Sequence, residues 1–265
     1  MNFKKSFLIS LLSLNGLIAG CGGSSGPEAP QNPIVLTSQN ALPIADASVA
    51  YADVSTTLVG AEANIPNAKK ALDTVVNIAF DKNRLIPSVV QGITTSLPCG
   101  TDGNSGSTDF TGDTTLTTST GTITFNNCIE FGITMNGSFT ISSEWNDATT
   151  YYSDSGVGSL SMSIDGLSFT MGIDYSETGY TNTGEFTSEI AFSISSPQFP
   201  GFMVATTQPL TGFYQDIDAG ELTVSGGSNT SLKIIFTGTN IADVYLDDNG
   251  DGFYNHEGTI FRTPL

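Results

Sequence analysis

The chain has 265 residues, a hydrophobic fraction of 38%, and 26 acidic against 8 basic residues, which gives a formal net charge of −18 at pH 7. This charge argues against nucleic acid and anionic membrane surfaces as partners, because both would be repelled. With a single histidine, the sequence also lacks the ligands of a common zinc site and a histidine base for a serine or cysteine nucleophile.

The N-terminus has the order of a secretory signal peptide. Residues 1–21 read MNFKKSFLISLLSLNGLIAGC, with two lysines, a short apolar run and small residues before a cysteine. Ile18-Ala19-Gly20-Cys21 resembles the lipobox of bacterial lipoproteins. The resemblance implies that residues 1–20 are removed and that Cys21 becomes lipidated. Gly22, where inner-membrane lipoproteins carry aspartate, implies an outer-membrane location. The alternative is an uncleaved anchor or a simple secretory signal.

Residues 21–38 are predicted to form a flexible tether. The stretch GGSSGPEAPQNP at 22–33 is rich in glycine, serine and proline and has no hydrophobic periodicity. We therefore expect the membrane to be a partner through the lipid anchor, with the folded domain in the periplasm or on the cell surface.

Residues 39–90 are predicted to be helical. Apolar residues recur at spacings of three and four in two stretches, which are Ile44, Ala47, Tyr51, Val54 and Leu58, and then Ala68, Leu72, Val75, Val76 and Phe80. Pro66 suits the first turn of the second helix. Each predicted helix has one apolar stripe, so we expect both to pack against a larger element.

Residues 91–265 are predicted to form a sheet, because apolar residues there alternate with polar ones. Such alternation is typical of antiparallel strands with one buried face, and it is clearest at Leu160, Met162 and Ile164, and then at Leu167, Phe169, Met171, Ile173 and Tyr175. The predicted fold class is α+β and β-dominated, with a large curved antiparallel sheet packed against the N-terminal helices in one domain.

Two dipeptides in this region resemble hairpin turns. Asp165-Gly166 separates two alternating series, and it predicts either a two-residue hairpin or a bulge in one strand. A turn at Asn136-Gly137 would scatter apolar residues over both faces, whereas an uninterrupted strand keeps them together. We therefore predict one strand there, with its preceding turn at residues 130–132.

Cys99 and Cys128 remain once Cys21 is assigned to lipidation. An even pair of cysteines in an oxidising compartment predicts a disulfide. The alternatives, a zinc site or a cysteine nucleophile, lack partners because the chain has one histidine, His256.

Several short motifs occur along the chain in a characteristic order, namely LTSQNA (36–41), Pro98-Cys99, TFNNC (124–128), GITMNGSFT (132–140) and DDNGDG (247–252). With the lipobox, this order resembles a group of proteobacterial outer-membrane lipoproteins. The resemblance implies a shared fold and the pairing of Cys99 with Cys128. It implies no activity, since none is assigned to that group.

The acidic segment DDNGDGFYNHEG at 247–258 begins like a calcium-binding loop. Asp247, Asn249 and Asp251 stand at alternate positions, and the carbonyl of Phe253 and the carboxylate of Glu257 complete the predicted ligand set. The twelfth position is Gly258 where such loops carry a bidentate glutamate. Two interpretations therefore stay open: a calcium site, or a glycine-rich hairpin loop with no required cofactor.

The sequence predicts a non-enzymatic envelope protein, which has a structural role or binds a partner protein. Trp145, Tyr151 and Tyr152 follow one another near a strand end, where aromatic rings can stack on a sugar or anchor a partner, although half-buried sheet positions are the simpler expectation. One alternative is a carrier of a lipid or another apolar ligand, with a cavity lined by Phe169, Phe192 and Phe236. The other is a hydrolase in which acids from separate strands, such as Asp216, Asp218 and Glu221, converge.

Overall fold

The computed structural model describes residues 26–52, 90–99, 106–115, 117–130, 133–146, 148–164, 166–213 and 216–261. The signal segment with Cys21 and the second predicted helix at 66–80 lie outside these ranges. Within them the chain forms one helix, α1 (Ala41–Ala52), followed by twelve strands. The strands are β1 (Val90–Pro98), β2 (Ser107–Thr114), β3 (Thr118–Glu130), β4 (Ile133–Asn146), β5 (Tyr151–Ile164), β6 (Leu167–Tyr180), β7 (Glu185–Ser195), β8 (Phe202–Phe213), β9 (Asp216–Ser225), β10 (Ser231–Gly238), β11 (Ile241–Asp247) and β12 (Asn255–Phe261).

All twelve strands belong to one sheet, in which each strand lies beside its neighbour in sequence. Every pair is antiparallel, and among the described residues β1 pairs with β2 alone and β12 with β11 alone. The sheet is therefore an open meander. The predictions of a β-dominated chain and of one large antiparallel sheet are confirmed.

One face of the sheet carries the hydrophobic core. In β6 the side chains of Phe169, Met171 and Ile173 are buried, and in β10 those of Leu232 and Ile234 are fully buried. Their polar neighbours in sequence point to the other face, because successive strand residues alternate sides. Burying each large apolar side chain stabilises the fold by about 1.5–3 kcal/mol. We call these the buried face and the solvent-facing face.

The hairpin predictions are confirmed by the strand register. Ile164 pairs with Leu167, Met162 with Phe169 and Leu160 with Met171, so the Asp165-Gly166 signal marks a hairpin. Glu130 pairs with Ile133, so the turn predicted at residues 130–132 falls between two paired strands, and β4 continues uninterrupted through Gly137. The apolar residues of β4 then share the buried face, as predicted.

The disulfide between Cys99 and Cys128 is confirmed, with a Cα–Cα distance of 5.3 Å. A bulge at Asn126-Asn127 interrupts the pairing of β3 with β4 between Phe125 and Cys128. Asn127 has φ = 47°, and its N–H donates to Oδ1 of Asn136 at 2.8 Å. Because the bulge adds one residue to the alternation, Phe125 and Cys128 both reach the buried face. The TFNNC motif thus builds the position of the disulfide.

Helix α1 packs against the last strands of the sheet, β10, β11 and β12. Asn40 ends the preceding turn: its Oδ1 accepts from the Thr37 N–H at 2.8 Å, and its Nδ2 donates to the Val35 carbonyl at 3.0 Å. Ile44 and Ala47 of the predicted stripe are buried, with Ala45 between them. The LTSQNA motif therefore corresponds to the start of this helix, with Leu36 and Ala41 fully buried.

The first described residues of the predicted tether lie on the solvent-facing face, whereas Ile34 packs against the hydrophobic core and Leu36 belongs to it. A methyl group added to Gly172 of β6 would lie 2.7 Å from the Cα of Pro27. Further along, Ile34 donates to the Gly201 carbonyl at 2.7 Å and Gly227 donates to the Ile34 carbonyl at 2.6 Å. Residues 26–36 are thus docked on the sheet, and the boundary at residue 38 stays a prediction.

Candidate functional site

The acidic loop between β11 and β12 holds the first set of predicted site residues. Asp247 is buried, and its Oδ1 accepts from the N–H groups of Asn249 at 3.3 Å and Gly250 at 2.7 Å. Its Oδ2 accepts from the N–H of Gly252 at 2.9 Å. Both carboxylate oxygens therefore hold the loop backbone in place.

The same backbone donors set the acidity of Asp247. Burial acts to raise the pKa of its carboxyl, but the N–H groups of Gly252, Gly250 and Asn249 outweigh burial and lower that pKa below its usual value. The side chain is therefore ionised at neutral pH, as a ligand or as a cap for this turn would need to be.

The other predicted calcium ligands are only partly brought together. Oδ1 of Asn249 accepts from the Asp251 N–H at 2.9 Å, and Oδ1 of Asp251 accepts from the Phe253 N–H at 2.8 Å. Glu257 instead accepts from the Ser38 hydroxyl at 3.2 Å. In the described part of the chain, no group of three or more His, Cys, Asp or Glu side chains is placed to hold a metal ion.

A groove of about 490 Å³ lies on the solvent-facing face, where β5 to β9 end on the same side of the sheet. Four aromatic side chains line it, the buried Phe186 and the more exposed Tyr151, Tyr180 and Phe213, together with the carboxylates of Glu185 and Asp218. We call it the β5–β9 groove. Its volume lies within the range of about 300–1,000 Å³ that is usual for small-molecule sites.

Strand register explains why these side chains meet. Tyr151 pairs with Tyr180, and Glu185 pairs with Phe213. Tyr180 and Glu185 flank the four-residue turn between β6 and β7, next to the terminal pair Gly179 and Phe186. Directly opposed residues point to the same face. An aromatic and acidic row therefore crosses four strands.

A second row lies beside the first and consists of threonines. Thr178 pairs with Thr187, and Thr187 pairs with Thr211. All three line the groove, so hydroxyl groups form its polar side.

The rings of the groove are unusually exposed for large side chains in a sheet. Tyr180 is 43% exposed and Phe213 48% exposed. The centroids of the Tyr151 and Tyr180 rings are 5.6 Å apart, and their planes meet at 66°, as in an edge-to-face pair. The groove thus offers ring surface to a ligand without any change in the fold.

The acids named for a hydrolase have separate partners. Asp216 accepts from the side-chain amide of Asn240, Asp218 from the hydroxyl of Thr239, and Glu221 from the hydroxyl of Thr207. They lie along β9 without converging on a shared partner.

Two other carboxylates do meet, on the buried face. Asp154 pairs with Glu177, and the Tyr152 hydroxyl donates to Oε1 of Glu177 at 2.7 Å. Burial, with Glu177 as the next contribution, raises the pKa of both Tyr152 and Tyr175, so these hydroxyls stay protonated as donors. Glu177 is only 5% exposed, which leaves a substrate little access to this pair.

The phenylalanines named for an apolar cavity are core residues. Phe169, Phe192 and Phe236 are all buried, and the ring of Phe192 meets that of Phe202 edge on with centroids 6.1 Å apart. A cavity beside Phe169 measures about 250 Å³ and is lined mostly by serine and threonine. That volume is below the usual range for small-molecule sites.

Sequence reasoning singled out Tyr151 but missed Tyr180, Glu185 and Phe213. The turn TNTG after Tyr180 would have placed Tyr180 opposite Glu185, since both flank it. The pairing of Glu185 with Phe213 depends on the register of β7 against β8, and a bulge shifts that register. No short sequence motif marks this pairing.

No family model, curated protein or solved structure matches this chain. The resemblance to outer-membrane lipoproteins therefore stays a prediction. Across the described ranges, no helix combines the length and apolar character needed to cross a membrane.

Proposed function

We propose that this chain is a lipid-anchored protein of the bacterial outer membrane, and that its domain is a non-enzymatic binding module. The observation that carries the binding role is the β5–β9 groove, where exposed rings and carboxylates share one rigid face of the sheet. Ligand sites commonly combine apolar surface with a few polar groups in this way.

The docked N-terminal segment supports the relation between anchor and groove. Pro27 lies over Gly172, and Gly172 is on the same solvent-facing side of β6 as Tyr180. Five residue steps separate Cys21 from Gly26, a reach of about 18 Å at most. A lipid on Cys21 would therefore hold this face of the sheet close to the membrane.

The two alternative functions have weaker support. A carrier of apolar ligands needs an open apolar cavity, whereas Phe192 and its neighbours pack against one another. A hydrolase needs accessible paired acids, and the pair that the strands bring together, Asp154 and Glu177, includes a side chain that is 5% exposed. Both remain alternatives to the binding module.

Calcium binding by the 247–257 loop is a separate proposal, and it rests on the D-x-N-x-D-G order of the loop. Calorimetric titration of the full chain with calcium tests it, with Asp247→Ala and Asp251→Ala as the variants. Heat that is present in the wild type and lost in both variants supports the site. Absent heat, or equal heat in all three proteins, refutes it.

The anchor is tested by mass spectrometry of the protein expressed in a Gram-negative cell. We expect a chain that begins at Cys21 and carries acyl groups, and we expect Cys21→Ala to leave the membrane fraction. An unacylated wild-type chain in the cytosol, with the thiols of Cys99 and Cys128 free, would overturn the proposal.

A further inference from the structure

The β5–β9 groove combines aromatic surface with negative charge, and this combination restricts its ligand. Tyr180 and Phe213 expose 43% and 48% of their surface. Glu185 and Asp218 line the same groove, and none of its lining residues is basic. An anion would be repelled by these carboxylates, so anionic ligands are excluded first.

The charge of the groove is not neutralised by basic residues elsewhere in the described ranges. The one lysine there is Lys233, and its ammonium lies 4.6 Å from the ring centroid of Tyr254, in the sheet region that carries β10 to β12. The described ranges contain no arginine, and their one histidine, His256, stands beside Asp243. Among the described residues, a cation that approaches the groove therefore meets the carboxylates of Glu185 and Asp218 with no basic side chain beside them.

The aromatic part of the groove excludes a bare metal ion as its main ligand. The ring faces of tyrosine and phenylalanine are not ligands of a divalent ion, and the groove has only two carboxylates, Glu185 and Asp218. No group of three or more metal-ligating side chains is found among the described residues. A ring face instead attracts a cation that carries apolar groups, because the charge interacts with the quadrupole while the alkyl groups contact the ring.

We infer that the β5–β9 groove binds an alkylated ammonium group, with the rings of Tyr151, Tyr180 and Phe213 around the alkyl substituents and the Glu185 and Asp218 carboxylates beside the charge. This inference deepens the proposed function, on which it rests, by naming the ligand class. The same group occurs in a small quaternary ammonium ion such as choline and in a zwitterionic lipid headgroup.

Choline is a suitable first probe because a neutral molecule of nearly the same shape exists. In 3,3-dimethylbutan-1-ol a carbon atom replaces the charged nitrogen. The full chain in a nonionic detergent is titrated with each compound by calorimetry at matched ionic strength. We expect choline to bind about tenfold more tightly than the neutral alcohol, because the alcohol keeps apolar contact but loses the attraction to the rings and carboxylates. Equal affinity, or no binding of choline, would overturn the inference.

Variants test which side chains hold the ligand. Tyr180→Ala and Phe213→Ala should each weaken choline binding about two- to fivefold, the range expected for an exposed cation–ring contact. Tyr180→Phe keeps the ring and should bind within about twofold of the wild type. Phe261→Ala removes another exposed ring, 71% exposed on β12 outside the groove, and should bind like the wild type. Equal binding by all four variants would place the ligand elsewhere and refute the site.

A further arm separates the two sources of the group. Glycerophosphocholine carries the headgroup with its phosphate, and binding as tight as that of choline would identify a lipid headgroup as the ligand. Binding weakened by the phosphate would identify a small free ammonium compound as the ligand. If the protein is acylated at Cys21 but does not bind choline, the proposed ligand class is refuted and the anchor is not. If the protein is not acylated, the anchor is refuted, and the result of the choline titration still applies to the groove.

Discussion

The two faces of the sheet are built from the same strands but have different roles. On the buried face, alternate residues such as Phe192 and Leu232 are fully buried and fix the fold. On the solvent-facing face, Tyr180 and Phe213 leave nearly half their surface exposed and contribute little to the core. Because side chains alternate along each strand, a substitution on one face should leave the other intact. Stability should therefore respond to substitutions on the buried face, and ligand binding to substitutions on the solvent-facing face.

The largest effect is expected on the buried face. Phe192→Ala leaves a cavity beside Phe202 and should lower the free energy of unfolding by about 3–5 kcal/mol. Phe213→Ala makes the same chemical change on the solvent-facing face and should change the free energy of unfolding by about 0.5 kcal/mol at most. Urea denaturation at pH 7 measures both. Similar losses in the two variants would break the distinction between the faces.

The disulfide gives the next largest effect. Its two cysteines are 29 residues apart in sequence, and closing such a loop stabilises a fold by about 3–4 kcal/mol in the chain-entropy treatment. Cys99→Ser with Cys128→Ser should lose this amount in urea denaturation, and choline affinity should not change. The wild type with a reductant is the control and should approach the stability of the double variant.

Tyr152→Phe tests a polar contact of the buried face. It removes the hydroxyl that donates to Glu177 at 2.7 Å. A hydrogen bond to a charged group contributes about 1.5–3 kcal/mol, and this one is partly buried, so a loss towards the lower end of this range is expected in urea denaturation. Tyr151→Phe, which changes the adjacent residue on the opposite face, is the matched control. A larger loss in the control than in Tyr152→Phe would contradict the assignment of faces.

The smallest effect concerns the acid dependence of Asp247. Because the folded-state pKa of this carboxyl is lowered, its contribution to stability is complete above the unfolded-state value of about 4 and is lost as the pH falls towards the folded-state pKa. Asp247→Asn should therefore lower the urea midpoint at pH 7. It should also make the urea midpoints at pH 7 and pH 3 differ less than they do in the wild type. Asp248→Asn, at the exposed neighbouring position, should preserve that difference. If Asp247→Asn keeps the wild-type difference in urea midpoint between pH 7 and pH 3, the Asp247 carboxylate does not cause the acid dependence of stability.

Much of the sheet could be predicted from the sequence, because period-two alternation directly reflects which face is buried. The pairing of Leu160 with Met171 followed from this alternation together with a two-residue turn at Asp165-Gly166. The placement of Ile133 and Met135 on one face followed from the alternation. The disulfide followed from the cysteine count together with the predicted oxidising compartment. The order of all twelve strands did not, since alternation within a strand does not identify its neighbour.

The candidate site was harder to predict than the fold. The 247–252 loop has a recognisable order of acids, yet the carboxylate of Asp247 already accepts from the backbone N–H groups of Gly250 and Gly252. The β5–β9 groove has no such order: Tyr151, Tyr180 and Phe213 are far apart in sequence and meet only through the register of four strands. A motif search therefore directs attention to the loop, whereas exposed ring surface is visible only in the folded chain.

We propose that ligand binding occurs in the β5–β9 groove on the solvent-facing face. Chemical-shift mapping by NMR, with the full chain in nonionic detergent and titrated with tetramethylammonium, measures where the cation binds. We expect the largest shifts on β6 to β8 at residues 178–187 and 211–213, with little change at 247–253. Largest shifts in the acidic loop, or none at a saturating concentration of the cation, would contradict it.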